Sequence, residues 1–179
     1  MNKRFLLIIM IAAAVVASAC SRNTPTASTK KPDAKTNAVP TTPAALPDEA
    51  CKAQITLVSP PDKLRAGEKV VVQVKIKNVS NVQWWARGAP ANTRSDNKFV
   101  IAAGNRWWKA DGSLLSNMDG RYGISKDLKP SEEEEVPLLI TAPTTLGEYT
   151  LEVDVVQEGV TWFSDKGSPT AKTKITVAK

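Results

Sequence analysis

Two pairs of adjacent tryptophans, Trp84-Trp85 and Trp107-Trp108, have the most unusual spacing in this 179-residue chain. An indole ring beside hydrogen-bonding cations can stack on a sugar or anchor a protein partner. Arg87, Arg106 and Lys109 flank the two pairs, so Trp85, Trp108 and these three cations are the candidate binding surface. A second candidate for chemistry is Cys20, whose thiol follows the small residues Ala17-Ser18-Ala19. No other nucleophile and base stand in a recognisable motif, and there is no glycine-rich phosphate loop. The chain has no histidine, which removes the commonest general base and metal ligand, and two cysteines cannot build an all-cysteine zinc site. Composition therefore favours a binding or structural module over an enzyme, with no cofactor and no metal expected.

Residues 1–19 read as a secretory signal: Lys3 and Arg4, an apolar run from Phe5 to Val16, then small residues. Twelve apolar residues reach only about 18 Å as a helix, short of the roughly 30 Å hydrocarbon core, so cleavage is expected rather than a spanning helix. The small residues before Cys20 resemble the lipobox of bacterial lipoproteins, with Ala17 where Leu is commonest; they also satisfy the ordinary signal-peptidase rule, and both cuts fall before Cys20. The resemblance implies lipidation of Cys20, palmitate included, and anchorage to a membrane of the cell envelope. The alternative is a soluble secreted protein. Ser21, standing where a retained lipoprotein would carry Asp, implies the outer membrane in a cell that has two. Residues 20–50 are rich in Thr, Ala, Pro and Lys, without an aromatic residue, and cannot bury enough surface to fold. They are expected to be a tether reaching at most ~90 Å in extended polyproline geometry.

Residues 51–179 carry a period of two. Val70, Val72, Val74 and Ile76 alternate with Gln73, Lys75 and Lys77; Tyr149, Leu151, Val153 and Val155 alternate with Thr150, Glu152 and Asp154. Ile55 with Leu57, and Ile175 with Val177, read as further strands. Turn residues separate the runs, notably Pro60-Pro61-Asp62, Asp111-Gly112, Lys129-Pro130-Ser131 and Glu158-Gly159. With no sustained helical stripe, the expected fold is all-β, an immunoglobulin-like two-sheet antiparallel sandwich of about seven strands.

Four segments, Val74 to Trp84, Trp107 to Leu114, Leu128 to Pro143 and Leu146 to Phe163, resemble the Ig-like accessory domain of bacterial envelope proteins, also found beside glycan-handling enzymes. More distantly they are similar to the tryptophan-bearing Ig-like domain of autophagy cargo receptors. The resemblance implies that Trp84 and Trp107 point inward, leaving Trp85 and Trp108 for the outer surface, and that Tyr149 is a corner tyrosine. Trp85 stands where such domains commonly have Pro. Two readings of the outer tryptophans remain open: a recognition surface, or packing beneath the segment from Ala86 to Lys98. Glu132 to Glu135 read as a solvated edge, and Trp162 reads as structural.

The formal charge of +6 is unevenly placed. Residues 51–179 hold 18 basic against 15 acidic residues, a net +3, without a basic run, so no nucleic-acid partner is expected. If Cys20 is acylated, Cys51 is a leftover thiol; otherwise a Cys20-Cys51 bridge is open to it. The expected function is non-catalytic: an envelope-anchored lipoprotein that binds a protein partner or organises an envelope complex. The alternative is a carbohydrate-binding module that stacks sugars on exposed tryptophans.

Overall fold

Alternating valine, isoleucine and leucine lay down the strands where the period of two predicts them. The computed structural model describes residues 40–92, 94–116 and 120–179. The signal segment, Cys20 and the first part of the tether lie outside the described residues. Ten strands run through the described chain: β1 (Ala53–Val58), β2 (Lys63–Arg65), β3 (Lys69–Asn78), β4 (Ile101–Lys109), β5 (Leu114–Ser116), β6 (Arg121–Gly123), β7 (Glu133–Thr141), β8 (Gly147–Gln157), β9 (Thr161–Trp162) and β10 (Ala171–Ala178). Four of these, β2, β5, β6 and β9, are only two or three residues long, leaving six longer strands against the about seven expected.

The strands form an open three-stranded sheet, β1-β3-β7, and an open seven-stranded sheet ordered β2-β10-β8-β4-β5, with β6 also paired to β4 and β9 to β8. Pairing is antiparallel except between β2 and β10. Val72, Val74 and Ile76 of β3 and Val136, Leu138 and Ile140 of β7 share one buried cluster with Trp107, Leu151, Val153, Val155, Ile175 and Val177 of the larger sheet. Burying each such side chain is worth roughly 1.5–3 kcal/mol. The chain is thus an all-β two-sheet sandwich. Pro137, which lacks a ladder donor, sits on β7 at the edge of the smaller sheet, where that loss is tolerated. The Tyr149 hydroxyl donates to the Thr145 carbonyl at 3.0 Å, the corner geometry the resemblance implies.

The folded chain begins before Cys51. Residues 44–50, assigned by composition to the tether, form a strap against the domain. The Leu46 N–H donates to Gln157 Oε1 at 2.8 Å, and Gln157 Nε2 donates to the Ala44 carbonyl at 3.0 Å. Asp48 pairs with Lys166 at 2.9 Å, and the Trp84 indole N–H donates to the Ala50 carbonyl at 2.8 Å. Cys51 closes the strap fully buried, with its sulfur 3.8 Å from the Pro47 carbonyl. Burial, with the Asp48 charge second, pushes its thiol up to about 11.

Candidate functional site

Alternation along β4 sends Trp107 into the core and Trp108 to the outer face of the larger sheet, together with Gly104 and Arg106. The first tryptophan pair obeys a different rule, because the backbone of Trp84 pairs through an isolated bridge to Leu128, with no strand around Trp85. Trp84 is fully buried, edge-on to Phe163 at 5.2 Å. Trp85 is half-buried, and its carbonyl accepts the Gly88 N–H at 2.8 Å. The segment after it has its own ties: the Ala86 N–H to Asp127, the Asn92 amide to the Arg87 carbonyl, and an Arg94–Asp96 pair, whose hydrogen bond holds the Asp96 carboxyl at about 2.

Trp108 is half-buried and fixed in orientation. Its indole N–H donates to Glu152 Oε2 at 2.6 Å across the β4–β8 ladder. Glu152 Oε1 accepts the Thr170 hydroxyl at 2.8 Å and lies 3.2 Å from the Lys172 ammonium. Burial acts to raise the Glu152 pKa, yet the bonds from Thr170, Trp108 and Lys172 outweigh it and hold the carboxyl below its ordinary value. Asp154, two residues along the same face, goes the other way. Burial raises its pKa despite hydrogen bonds from Ser164 and the Val155 N–H and the nearby Arg106 charge.

Arg106 joins the two carboxylates, with Nη1 3.8 Å from Glu152 Oε2 and 3.7 Å from Asp154 Oδ2. Its guanidinium stacks on Trp162 at 3.9 Å from the ring centroid, and Arg121 stacks on the same ring at 4.3 Å. Gly104 makes room beneath them: a Cβ there would stand 2.8 Å from the Trp162 ring and 2.7 Å from Arg121 Nη1.

The five residues expected to share one surface are therefore dispersed. Trp108 and Lys109 line an open cavity of about 530 Å³, with Glu148, Thr150, Lys172 and Lys174. Arg87 lines a second cavity of about 740 Å³ with Lys98, Arg121 and Glu158. Arg106 is largely withdrawn from solvent and committed to its carboxylates, and Trp85 lines neither cavity. Lys172 and Lys174 escaped notice in the sequence although their i, i+2 spacing puts both on one strand face. What was missing was the pairing of β10 with β8, which sets Lys174 opposite Thr150 and Lys172 opposite Glu152.

Glu152 and Asp154 are two carboxylates with pKa values displaced in opposite directions, a pattern that acid–base sites share. Their geometry serves another end. Both are buried, neither lines either of these cavities, and their oxygens already take Trp108, Thr170, Lys172, Ser164 and the Val155 N–H. They tie three strands together and hold Trp108 in place. Among the described residues, no group of three or more Cys, Asp or Glu side chains is placed to hold a metal ion, and no helix is long and apolar enough to cross a membrane.

No family model matches the chain, and no curated protein matches it. Among solved structures it is similar to a β-glucosidase from Listeria innocua in complex with glucose, at 14% identity and a TM-score of 0.45, over 72% of this chain and 16% of that one. It is also similar to the CARDB domain of a Pyrococcus furiosus protein, at 16% identity and a TM-score of 0.40, over 71% of this chain and 93% of that one. A β-glucuronidase from Bacteroides uniformis is similar at 11% identity and a TM-score of 0.38, over 70% of this chain and 13% of that one. The chain thus spans about a sixth or less of the two enzymes' lengths.

Proposed function

We propose that this chain is a non-catalytic binding module, tethered to the cell envelope through Cys20, whose ligand is a saccharide seated on Trp108. One observation carries the reading: an indole held at 2.6 Å by Glu152 faces an open cavity of about 530 Å³. That volume falls within the range of small-molecule sites. Beside the ring the lining includes Lys109, Lys172, Lys174, Glu148 and Thr150, with Ala110, Gly112 and Tyr149 completing it. A protein hot spot calls for an apolar, desolvated centre; an aromatic platform rimmed by hydroxyl and ammonium donors suits a sugar, with its apolar ring face and polar edge.

The test is calorimetric titration of the full chain with an oligosaccharide panel. Trp108→Ala is expected to weaken binding at least tenfold in a domain that still folds, its melting temperature lowered by roughly 3–15 °C because losing the hydrogen bond to Glu152 costs about 1–3 kcal/mol. A lowered melting temperature with unchanged saccharide binding would overturn the assignment. A second reading, docking of an envelope protein, is favoured by Leu114 and Leu115, which are 44% and 42% exposed on β5 at the edge of the larger sheet. A partner retained by Trp108→Ala in a pull-down, but released by Leu115→Asp, would establish it.

Thiol titration tests the anchor. Cys51 is buried with its pKa at about 11, so the mature native protein should show no fast-reacting thiol, and unfolding should release one. A second thiol after unfolding, or a Cys20-Cys51 bridge, would exclude acylation of Cys20. In a cell with two membranes, Ser21 directs the proposal to the outer one.

A further inference from the structure

We infer that the ligand on Trp108 is acidic, a saccharide whose ring stacks on the indole while a carboxylate or phosphate substituent is held by Lys109 and Lys174. The inference rests on the saccharide reading above and adds the ligand's charge. Three lysines and one glutamate line the cavity, within a domain whose total excess is only +3. Lys172 is already paired with Glu152, and its ammonium, 5.9 Å from the Trp108 ring centroid, frames the ring. Lys109 and Lys174 are exposed, and among the described residues neither has a carboxylate within 4 Å.

The register gives the spacing. Trp108 and Lys174 both stand opposite Thr150, one on each side of β8. Their backbones are therefore two strand spacings apart, about 10 Å. Lys109 follows Trp108 at the end of β4, so alternation sets it toward the other face, and it lines the same cavity from the strand's end. A sugar ring on the indole would carry a substituent of that sugar, or of the next one, along a wall to which Lys109 and Lys174 both contribute. Glu148 is the one acidic residue of the lining, and one of its oxygens accepts the Thr176 hydroxyl at 2.8 Å; the Asp111 carboxylate, outside the lining, also feels the Lys109 charge. Three lysines against one glutamate leave the lining itself net positive, which favours an anion. These groups are solvent-exposed, so each contact is weak and screened by salt.

Calorimetry on the full chain compares a neutral oligosaccharide, its uronic-acid counterpart, its phosphate ester, inorganic phosphate and a polyglutamate peptide. The expected result is roughly fivefold to tenfold tighter binding of at least one acidic saccharide than of the neutral one, fading at high salt. The double variant Lys109→Gln with Lys174→Gln should erase that preference. The uronate and phosphate arms separate the two possible sources of charge. Equal affinity for neutral and acidic saccharides overturns the inference and leaves the saccharide site standing. No binding by any saccharide overturns both. Inorganic phosphate or polyglutamate binding as tightly as the acidic sugars also overturns it, since the site would then read charge without the ring.

Discussion

Replacing Arg106 with methionine is expected to lower the unfolding free energy by about 3 kcal/mol, with a deficit that shrinks as the pH falls. The side chains of Arg106, Glu152 and Asp154 are 12%, 6% and 0% exposed, so removing the cation leaves two carboxylates buried without it. Breaking a buried ion pair from one side costs about 3–5 kcal/mol. The lower end applies because separations of 3.7 and 3.8 Å are too long for charge-assisted hydrogen bonds. The pH dependence follows from the two carboxyls. Asp154, with its folded pKa raised by burial, costs stability while ionised, and the cost disappears as pH falls through that raised value. Glu152, with its folded pKa lowered despite burial, contributes stability above its unfolded value and loses it as pH falls through the folded one. Without Arg106 the folded value of Asp154 rises further, so the variant is most impaired near neutral pH and approaches wild type as that carboxyl protonates. Urea unfolding of both proteins near pH 7 and near pH 4.5 reads this; a deficit that does not change with pH would show that stacking on Trp162 dominates.

Trp84→Ala is expected to cost about 4 kcal/mol, within the range for deleting a fully buried large aromatic side chain. The indole is 0% exposed, edge-on to Phe163, and bonded to the Ala50 carbonyl. The loss should extend to the strap, because Ala50 then has no donor from the core. Limited proteolysis between residues 44 and 52 should accelerate more in the variant than cleavage in β8. Trp84→Phe separates the contributions: it keeps most of the apolar volume and loses the N–H, costing about 1–3 kcal/mol. Equal losses for Ala and Phe would mean that the hydrogen bond, and not the packing, holds this end of the domain.

The alternating runs were legible because each strand face reports its own surroundings. Tyr149, Leu151, Val153 and Val155 point into the sandwich as their spacing requires. The same rule misleads for Glu152 and Asp154, whose polar types suggest a wet face although both are buried. What covers them comes from elsewhere: Arg106 across the ladder, Trp162 beyond the β8–β9 turn, and the Ser164 N–H. The Trp84-Trp85 pair was illegible for a related reason, since a lone bridge to Leu128 and the Asn78 amide bonds to the Val82 and Leu128 carbonyls replace a strand there. For the candidate site, residue type singled out Trp108 and Lys109, but only strand pairing brings Lys172 and Lys174 beside them. The strap was hidden most completely, because Leu46 and Gln157 are 111 residues apart.

The strap also sets how a mechanical load travels. Tension applied from the N-terminal side first meets the paired bonds between Gln157 and residues 44 and 46, then the Asp48–Lys166 ion pair. Gln157 ends β8, while the Trp108 cavity touches that strand at Glu148, Tyr149 and Thr150. From Gln157 to Thr150 is seven residues, about 23 Å at ~3.3 Å per residue. A load on the strap therefore enters at one pole of the sandwich, and any ligand on the proposed Trp108 site at the other pole is loaded only through the length of β8.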